Sequence, residues 1–272
     1  MNENKFNIYC LSVKEYAYFK YLPKTIAPLI LNDKITSLNY INASKKTNIH
    51  YLNKYFGELT GMYWVYKNEL PNYDNDDIIG FCQNRRLFLD NCYDVNHNIN
   101  TNLFSKLLIG KNHIINDNET VMTFPTYHMN ENLYDHFKNN HDEKIIIHSL
   151  NILDKEISSL FNKYLQRNYY SICNMFITRI KYFKKYFNFI YPLMNEILDF
   201  CLKENLCKGR NIRLPAFFIE RFTSFWFEHF TQVGYLSYAF LNKYFTANLV
   251  NNSFNALKTP YSFKFFPSIL KV

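Results

Sequence analysis

Glycine is scarce in this chain of 272 residues, which has six. Loops that cradle phosphate with backbone amides need closely spaced glycines, and neither the dinucleotide fingerprint nor the Walker pattern occurs. The six cysteines (Cys10, Cys82, Cys92, Cys173, Cys201, Cys207) include no CxxC pair. Zinc-ribbon and disulfide frameworks are therefore not expected, and reduced, buried thiols are. No stretch approaches the roughly 18 consecutive apolar residues of a membrane-spanning helix. The polar start with its early acid does not read as a signal peptide, so a cytoplasmic location is expected. No Ser-His-Asp or Cys-His arrangement stands out, and no internal repeat or linker is visible. Asp-x-Asp, the usual metal-diphosphate signature, is missing from any strand end; Asp74-x-Asp76 lies in a loop.

What is abundant is aromatic and basic. Hydrophobic residues make up 48% and aromatics 19%, enough for a sizeable core, and the net charge is +8. Between Lys163 and Arg213 ten Lys/Arg residues face three acids. Such a tract suits nucleic acid, an anionic membrane surface or a phosphorylated ligand, or it is a solvated helix face. No nucleic-acid-binding motif accompanies it.

Phe6–Val13 is apolar between polar flanks, as a central strand is. Residues 16–31 read as irregular, with Pro23 and Pro28 barring a long helix. Residues 32–48 read as a polar loop, 51–68 as a helix, 71–77 as an acidic loop and Ile78–Gln83 as a buried strand. Further on, 121–124 reads as a short strand, 133–139 and 145–166 as helices, and 170–178 as another strand. Residues 179–206 are helical in period, with Pro192 expected to force a restart or kink. Residues 217–230 and 235–251 read as helices. This mixture predicts an α/β domain over 1–230 and a helical, aromatic extension over 231–272.

Several residues could carry chemistry. Gly57 and Gly61 are four apart and would share a helix face, marking a close approach by a strand or a ligand. Glu58 beside them either serves the helix dipole or touches a sugar hydroxyl. Arg85 and Arg86 follow the strand directly; guanidinium forks match phosphate oxygens, and strand ends are where α/β proteins bind ligands. Both can face one pocket only if the chain turns at Asn84; otherwise one bonds Asp90 or Asp94. Five of eight histidines fall between His113 and His148, with His136 and His141 four apart beside Asp135 and Asp142. They are metal ligands or surface residues. Asn174 offers an amide for a hydroxyl, or makes a turn. Arg213, Glu220 and Arg221 cluster around a helix start, as ligand contacts or an internal ion pair.

The order of these segments resembles a known family. Glu58-Leu-Thr, Tyr63-Trp64 and Lys67-Asn68 come first, then Gly80 with Arg85-Arg86, then Asn174-Met-Phe-Ile177, then Glu220-Arg221. The series, from about residue 6 to about residue 228, is similar to a capsular polysaccharide biosynthesis family long filed as a domain of unknown function. Some of its members are galactofuranosyltransferases. The family strings ELTxxYWxWKN, GxxHYRR, NMFI and ERL are largely intact. Gln83-Asn84 stands in place of His-Tyr, Tyr66 in place of the second Trp, and Phe222 ends the last string. Gln83 cannot exchange a proton, so an inactive binding relative is the rival reading; a basic nucleic-acid-binding protein is a second.

The resemblance implies a GT-A-like, Rossmann-related fold. It implies transfer of a sugar from a nucleotide-diphosphate donor, UDP-galactofuranose among the candidates, to a capsular or surface glycan with inversion. Glu58 or Glu220 would be the catalytic base. Gln83, Asn84, Arg85, Arg86, Tyr63 and Trp64 would hold the donor, and Asn174 and Arg221 the acceptor. No metal ligand is assigned, although a divalent cation (Mn or Mg) would suit a diphosphate. The basic tract, with Phe263, Phe265 and Phe266, could seat the enzyme on an anionic inner leaflet near a lipid-linked acceptor, or those rings pack in the core.

Overall fold

The computed structural model describes residues 4–33, 40–89, 118–236 and 238–240. Its strands are β1 (Phe6–Ser12), β2 (Ile26–Ile30), β3 (Ile41–Asn42), β4 (Ile78–Gln83), β5 (Arg86–Phe88), β6 (Thr120–Thr123), β7 (Thr126–Tyr127), β8 (Tyr169–Tyr170), β9 (Phe176–Arg179), β10 (Val233–Leu236) and β11 (Tyr238–Phe240). Its helices are α1 (Asn53–Phe56), α2 (Leu59–Asn68), α3 (Leu133–Asn140), α4 (Lys144–Ile152), α5 (Lys155–Leu165), α6 (Ile180–Lys203) and α7 (Leu214–Phe230). The main sheet runs β10-β6-β9-β4-β1-β2-β3, with β5 and β11 continuing from β4 as antiparallel partners. Strands β3, β2, β1 and β4 are mutually parallel, β9 is antiparallel to β4 and β6, and β10 is parallel to β6. The fold is mixed α/β, as expected.

Alternation along the central strands builds two cores. Tyr9 and Leu11 of β1 and Ile79 and Phe81 of β4 face the helices, joining aromatics of α2, α6 and α7 such as Trp64, Phe183, Tyr186 and Phe222. Ile8 and Cys10 of β1 and Ile78 and Cys82 of β4 face the other way, onto Tyr18, Phe19, Leu87 and Phe88. A sheet covered on both faces needs apolar residues at nearly every position, which is how β1 and β4 read.

The strand expected over 170–178 is instead the end of β8 and most of β9, in two different sheets, with Cys173 and Asn174 at positive φ between them. Five further expectations need correction. First, residues 26–30, read as irregular, form β2 despite Pro28. Leu31 N–H bonds the Ser12 carbonyl, so alternation turns Pro28 away from β1, and β3 reaches only Leu29 and Ile30. Pro28 therefore costs no ladder bond. Second, the helix over 51–68 is broken at Gly57, whose φ is +53°. Third, the helix over 145–166 is two helices; Asp154 stops the first run and caps the second through the Glu156 N–H. Fourth, the chain passes Pro192 within a single α6, because Pro192 and Asn188 lie on the exposed face, where water can take the carbonyl left unpaired. Fifth, the helix expected from 235 does not open there: Tyr235 and Leu236 end β10, and Tyr238–Phe240 form β11, both strands of the main sheet. Gln232 ties this entry down, its carbonyl accepting from Glu119 N and its own N–H donating to Glu119 Oε2. The rest of 241–272, with Phe263, Phe265 and Phe266, lies outside the described residues. No described helix is long and apolar enough to cross a membrane.

Candidate active site

A cleft of roughly 730 Å³ opens at the carboxyl ends of β1, β2 and β4. The parallel strands finish here, and Glu58 at the start of α2, Arg213 before α7 and Glu220 within it converge on the same edge. Its lining combines apolar residues, Leu11, Leu31, Ala216 and Phe217 among them, with polar and charged ones.

The charged part of the lining includes the turn that the arginine pair demanded. Residues 84 and 85 form a two-residue turn between β4 and β5, with Gln83 opposite Arg86. Asn84 is pinned by its N–H to the Leu11 carbonyl at 3.1 Å and by the Tyr18 hydroxyl, which donates to the Asn84 carbonyl. Arg85 is exposed and Arg86 half-buried, and both line the cleft. Asp90 and Asp94 lie outside the described residues.

Glu58 is the hub. Its Oε2 accepts from Arg213 Nη2 at 2.8 Å, and its Oε1 accepts from Asn174 Nδ2 at 3.1 Å and Gln83 Nε2 at 3.3 Å. Gln83 also donates to the Cys173 carbonyl at 2.8 Å and accepts from Arg86 Nη1 at 2.9 Å. A side chain with both a donor and an acceptor is required at this position, and glutamine supplies both. Gln83 thus couples Arg86 to Glu58. Arg213 reaches Glu58 by crossing Gly57, where a β-carbon would sit 2.1 Å from Nη2. The close approach that Gly57 marked is therefore by a guanidinium. Gly61 instead packs on Leu11 and Leu31 beside the sheet.

Glu220 is the second carboxylate. It accepts the Cys173 backbone N–H, which the turn presents because Cys173 and Asn174 take φ values of 76° and 49°. Burial pushes the Glu220 carboxyl above the usual carboxylate range; the neighbouring Glu58 adds to this, while Arg221, the Cys173 N–H and Arg86 pull it back. Two acids near each other in unequal surroundings are the arrangement from which acid and base roles separate.

Of the residues singled out in the sequence, Glu58, Gln83, Asn84, Arg85, Arg86 and Glu220 meet at the cleft. Asn174 stands behind it, 2% exposed, donating to Glu58 and accepting from Thr223 Oγ1 at 2.7 Å. Its contacts are internal, which does not match an acceptor-binding amide. Arg221 is 2% exposed and points away, its guanidinium carbon 4.8 Å from the Phe137 ring centroid and 4.9 Å from that of Tyr170. Tyr63 and Trp64 are buried in the helical core; Tyr63 packs on Tyr191, and Trp64 Nε1 donates to the Lys45 carbonyl at 2.7 Å. These four do not line the cleft. The sequence reading missed Lys54 and Cys173, which do, and left Arg213 between two roles. Gly57 before Glu58 was the signal for Arg213; nothing in the sequence marks Cys173 as left-handed.

His136 and His141 diverge: the His141 ring stacks on Phe217 with centroids 4.6 Å apart, while the His136 ring lies tilted against His128 at 3.7 Å. The ligating atoms of His128, Glu131 and His136 lie within 4.8 Å of one another. Arg221 Nη2, however, lies 2.9 Å from His136 Nδ1 and can only donate. That leaves the ring proton on Nε2 and a fixed positive charge beside the cluster, a poor environment for a cation. Burial, then Arg221 and His128, push His136 down to about 4. Much of the basic tract is engaged locally: Lys181 and Arg179 lie 3.4 and 3.9 Å from Asp76, Lys184 bonds Asn75, and Arg167 lies 2.9 Å from Glu228.

The apo structure of the bifunctional glycosyltransferase WbbM is similar in fold, with a TM-score of 0.68 and 20% identity over 93% of this chain and 47% of that one. The chain thus spans about half the length of that protein. A search of curated protein sequences gives no match. The family model described as Domain of unknown function (DUF4422) matches residues 7–232, the stretch that carries all of β1 but Phe6, β2 to β9, helices α1 to α7 and every cleft residue named above, and the chain belongs to that family.

Proposed function

We propose that this chain is a glycosyltransferase that moves a sugar from a nucleotide-diphosphate donor to a hydroxyl of a growing surface glycan. The carrying observation is the cleft, in which Lys54, Arg85, Arg86 and Arg213 accompany two carboxylates at the carboxyl ends of the parallel strands β1, β2 and β4. The fold shared with a glycosyltransferase supports the reading. Arg85 and Arg86 neutralise the charge that develops on the departing diphosphate. Glu220 is the general base: burial raises its proton affinity, so it takes the proton of the acceptor hydroxyl. That oxygen attacks the anomeric carbon opposite the diphosphate, and the configuration inverts.

Glu58, with three donors on its carboxylate, is the anchor of the polar lining rather than the base. Gln83 is a bridge between Arg86 and Glu58 and has no proton to exchange, so its presence is compatible with turnover. In the free protein the Glu58 carboxylate is paired with Arg213. UDP-hexoses are the first donors to try, UDP-galactofuranose included, and a lipid-linked or capsular glycan the first acceptor. Seating on an anionic membrane rests on Lys163, Lys185, Lys203 and Lys208 of the basic tract, which form no ion pair among the described residues.

Thermal-shift titration with UDP, GDP, CMP and their sugars, each with manganese or with EDTA, tests the reading. Stabilisation by one nucleotide class that survives EDTA is expected. No shift with any nucleotide would refute it and favour a glycan-binding relative without activity.

A further inference from the structure

Arg213 is underused where it stands. The one hydrogen bond its guanidinium makes among the described residues is the 2.8 Å contact to Glu58 Oε2, and its Nε is buried without a partner. The side chain is nevertheless 41% exposed, and it lines the cleft. A guanidinium satisfies its donors best with two oxygens of one oxyanion, and a single carboxylate oxygen leaves most of them idle. Glu58, in contrast, does not depend on Arg213 alone, because Asn174 and Gln83 hold its other oxygen. The lining as a whole carries four cations against two carboxylates, an excess that a diphosphate would neutralise.

We propose that Arg213 is a shared cation: Glu58 holds it over Gly57 in the free protein, and a diphosphate entering the cleft takes it from Glu58. The exchange needs only a rotation of a half-exposed side chain, since Gly57 presents no β-carbon in its path. Arg213 is then a ligand-binding residue, and Glu58 a competitor that keeps the guanidinium at the cleft until the anion arrives. The inference rests on the reading of the cleft as a diphosphate site, and it extends that reading to a residue and an order of events. Diphosphate binding precedes the release of Arg213 and leaves Glu58 held by the two amides.

Competition has a signature that a structural ion pair lacks. Removing Glu58's charge should strengthen anion binding, whereas removing Arg213's should weaken it. The experiment is calorimetric titration of inorganic pyrophosphate into the full chain at low salt with EDTA, comparing wild type, Glu58→Gln and Arg213→Gln. Arg213→Gln is expected to weaken pyrophosphate about tenfold to a hundredfold, and Glu58→Gln to tighten it by a few fold. Circular dichroism melts check that each variant is folded. Where Glu58→Gln does not fold, Glu58→Ala with pyrophosphate held in the refolding buffer supplies the second comparison.

Weakening by both substitutions, or an affinity indifferent to Arg213, would overturn the exchange. Pyrophosphate binding with the expected opposite signs, in a protein that turns over no nucleotide sugar, would keep the exchange and discard the transferase reading. The reverse result, turnover without the opposite signs, would do the converse.

Discussion

A methyl group at Gly57 would meet two obstacles. The backbone there has φ +53° and ψ −123°, a region that residues with a β-carbon avoid. Forcing alanine into it costs about 1–3 kcal/mol. The new carbon would also lie 2.1 Å from Arg213 Nη2 and 2.9 Å from Cζ. Arg213 is a flexible side chain and would swing away, losing its bond to Glu58; with the pair partly exposed, that loss is about 1 kcal/mol after solvent screening. The Gly57→Ala variant should therefore be less stable by about 2–4 kcal/mol, a fall in melting temperature of roughly 5–15 °C for a chain of this size. Chemical denaturation of Gly57→Ala, Arg213→Ala and the double variant separates the two parts. With Arg213 already truncated, alanine at 57 should cost only the backbone part, leaving a coupling of about 1 kcal/mol. Strict additivity would refute the packing of Arg213 over Gly57, and a Gly57→Ala protein as stable as the parent would refute the backbone argument as well.

Three further predictions follow from buried groups. Thr223→Val removes a hydroxyl bonded to Asn174 Oδ1 at 2.7 Å and Tyr186 Oη at 2.7 Å, stranding two buried polar atoms; denaturant melts should show a loss of about 1–3 kcal/mol or more. Arg221→Met exchanges a buried charge for a similar volume, and Glu220 loses the strongest influence holding its proton affinity down. With Glu220 as the base, the acid limb of kcat/KM should move to higher pH, and an unmoved limb would count against that assignment. His136 is pushed down to about 4 from 6.5, so the unfolded chain binds a proton there before the folded one does. Stability from this group is complete above the unfolded value and drains as pH falls from 6.5 through about 4. His136→Gln should flatten that part of the stability–pH curve, and an unchanged slope would place the acid sensitivity elsewhere.

How far the sequence could be read depended on whether the deciding force was local. The bounds of β4 and the turn at Asn84 were legible, because burial on both faces and the side-chain direction of two adjacent arginines act within a few residues. Arg85 and Arg86 were legible as charge at a strand end, whereas Glu58, Arg213 and Glu220 were read on or beside helices, and nothing local said that they converge there. What stayed hidden depended on distant partners. Pro28 sits in a strand because its neighbour on that side is short, which no pattern in 26–30 reveals. Residues 233–236 are a strand because β6 offers an edge to them, although Tyr235 and Leu236 would fit a helix as well. Arg221 and Asn174 looked like ligand contacts, since both are polar residues in motif positions. The structure turns both inward, Arg221 toward His136 and Asn174 toward Glu58.

The most direct test of the central claim is nucleoside-diphosphate release from a panel of UDP-hexoses, with glycan acceptors present, by wild type and Glu220→Gln. The account predicts that wild type releases UDP from one donor in an acceptor-dependent manner. It predicts that Glu220→Gln, folded and still binding UDP, loses about a hundredfold to ten-thousandfold in turnover. A Glu220→Gln protein that turns over as fast as wild type, or a wild type that releases nothing from any donor while binding UDP, would contradict it.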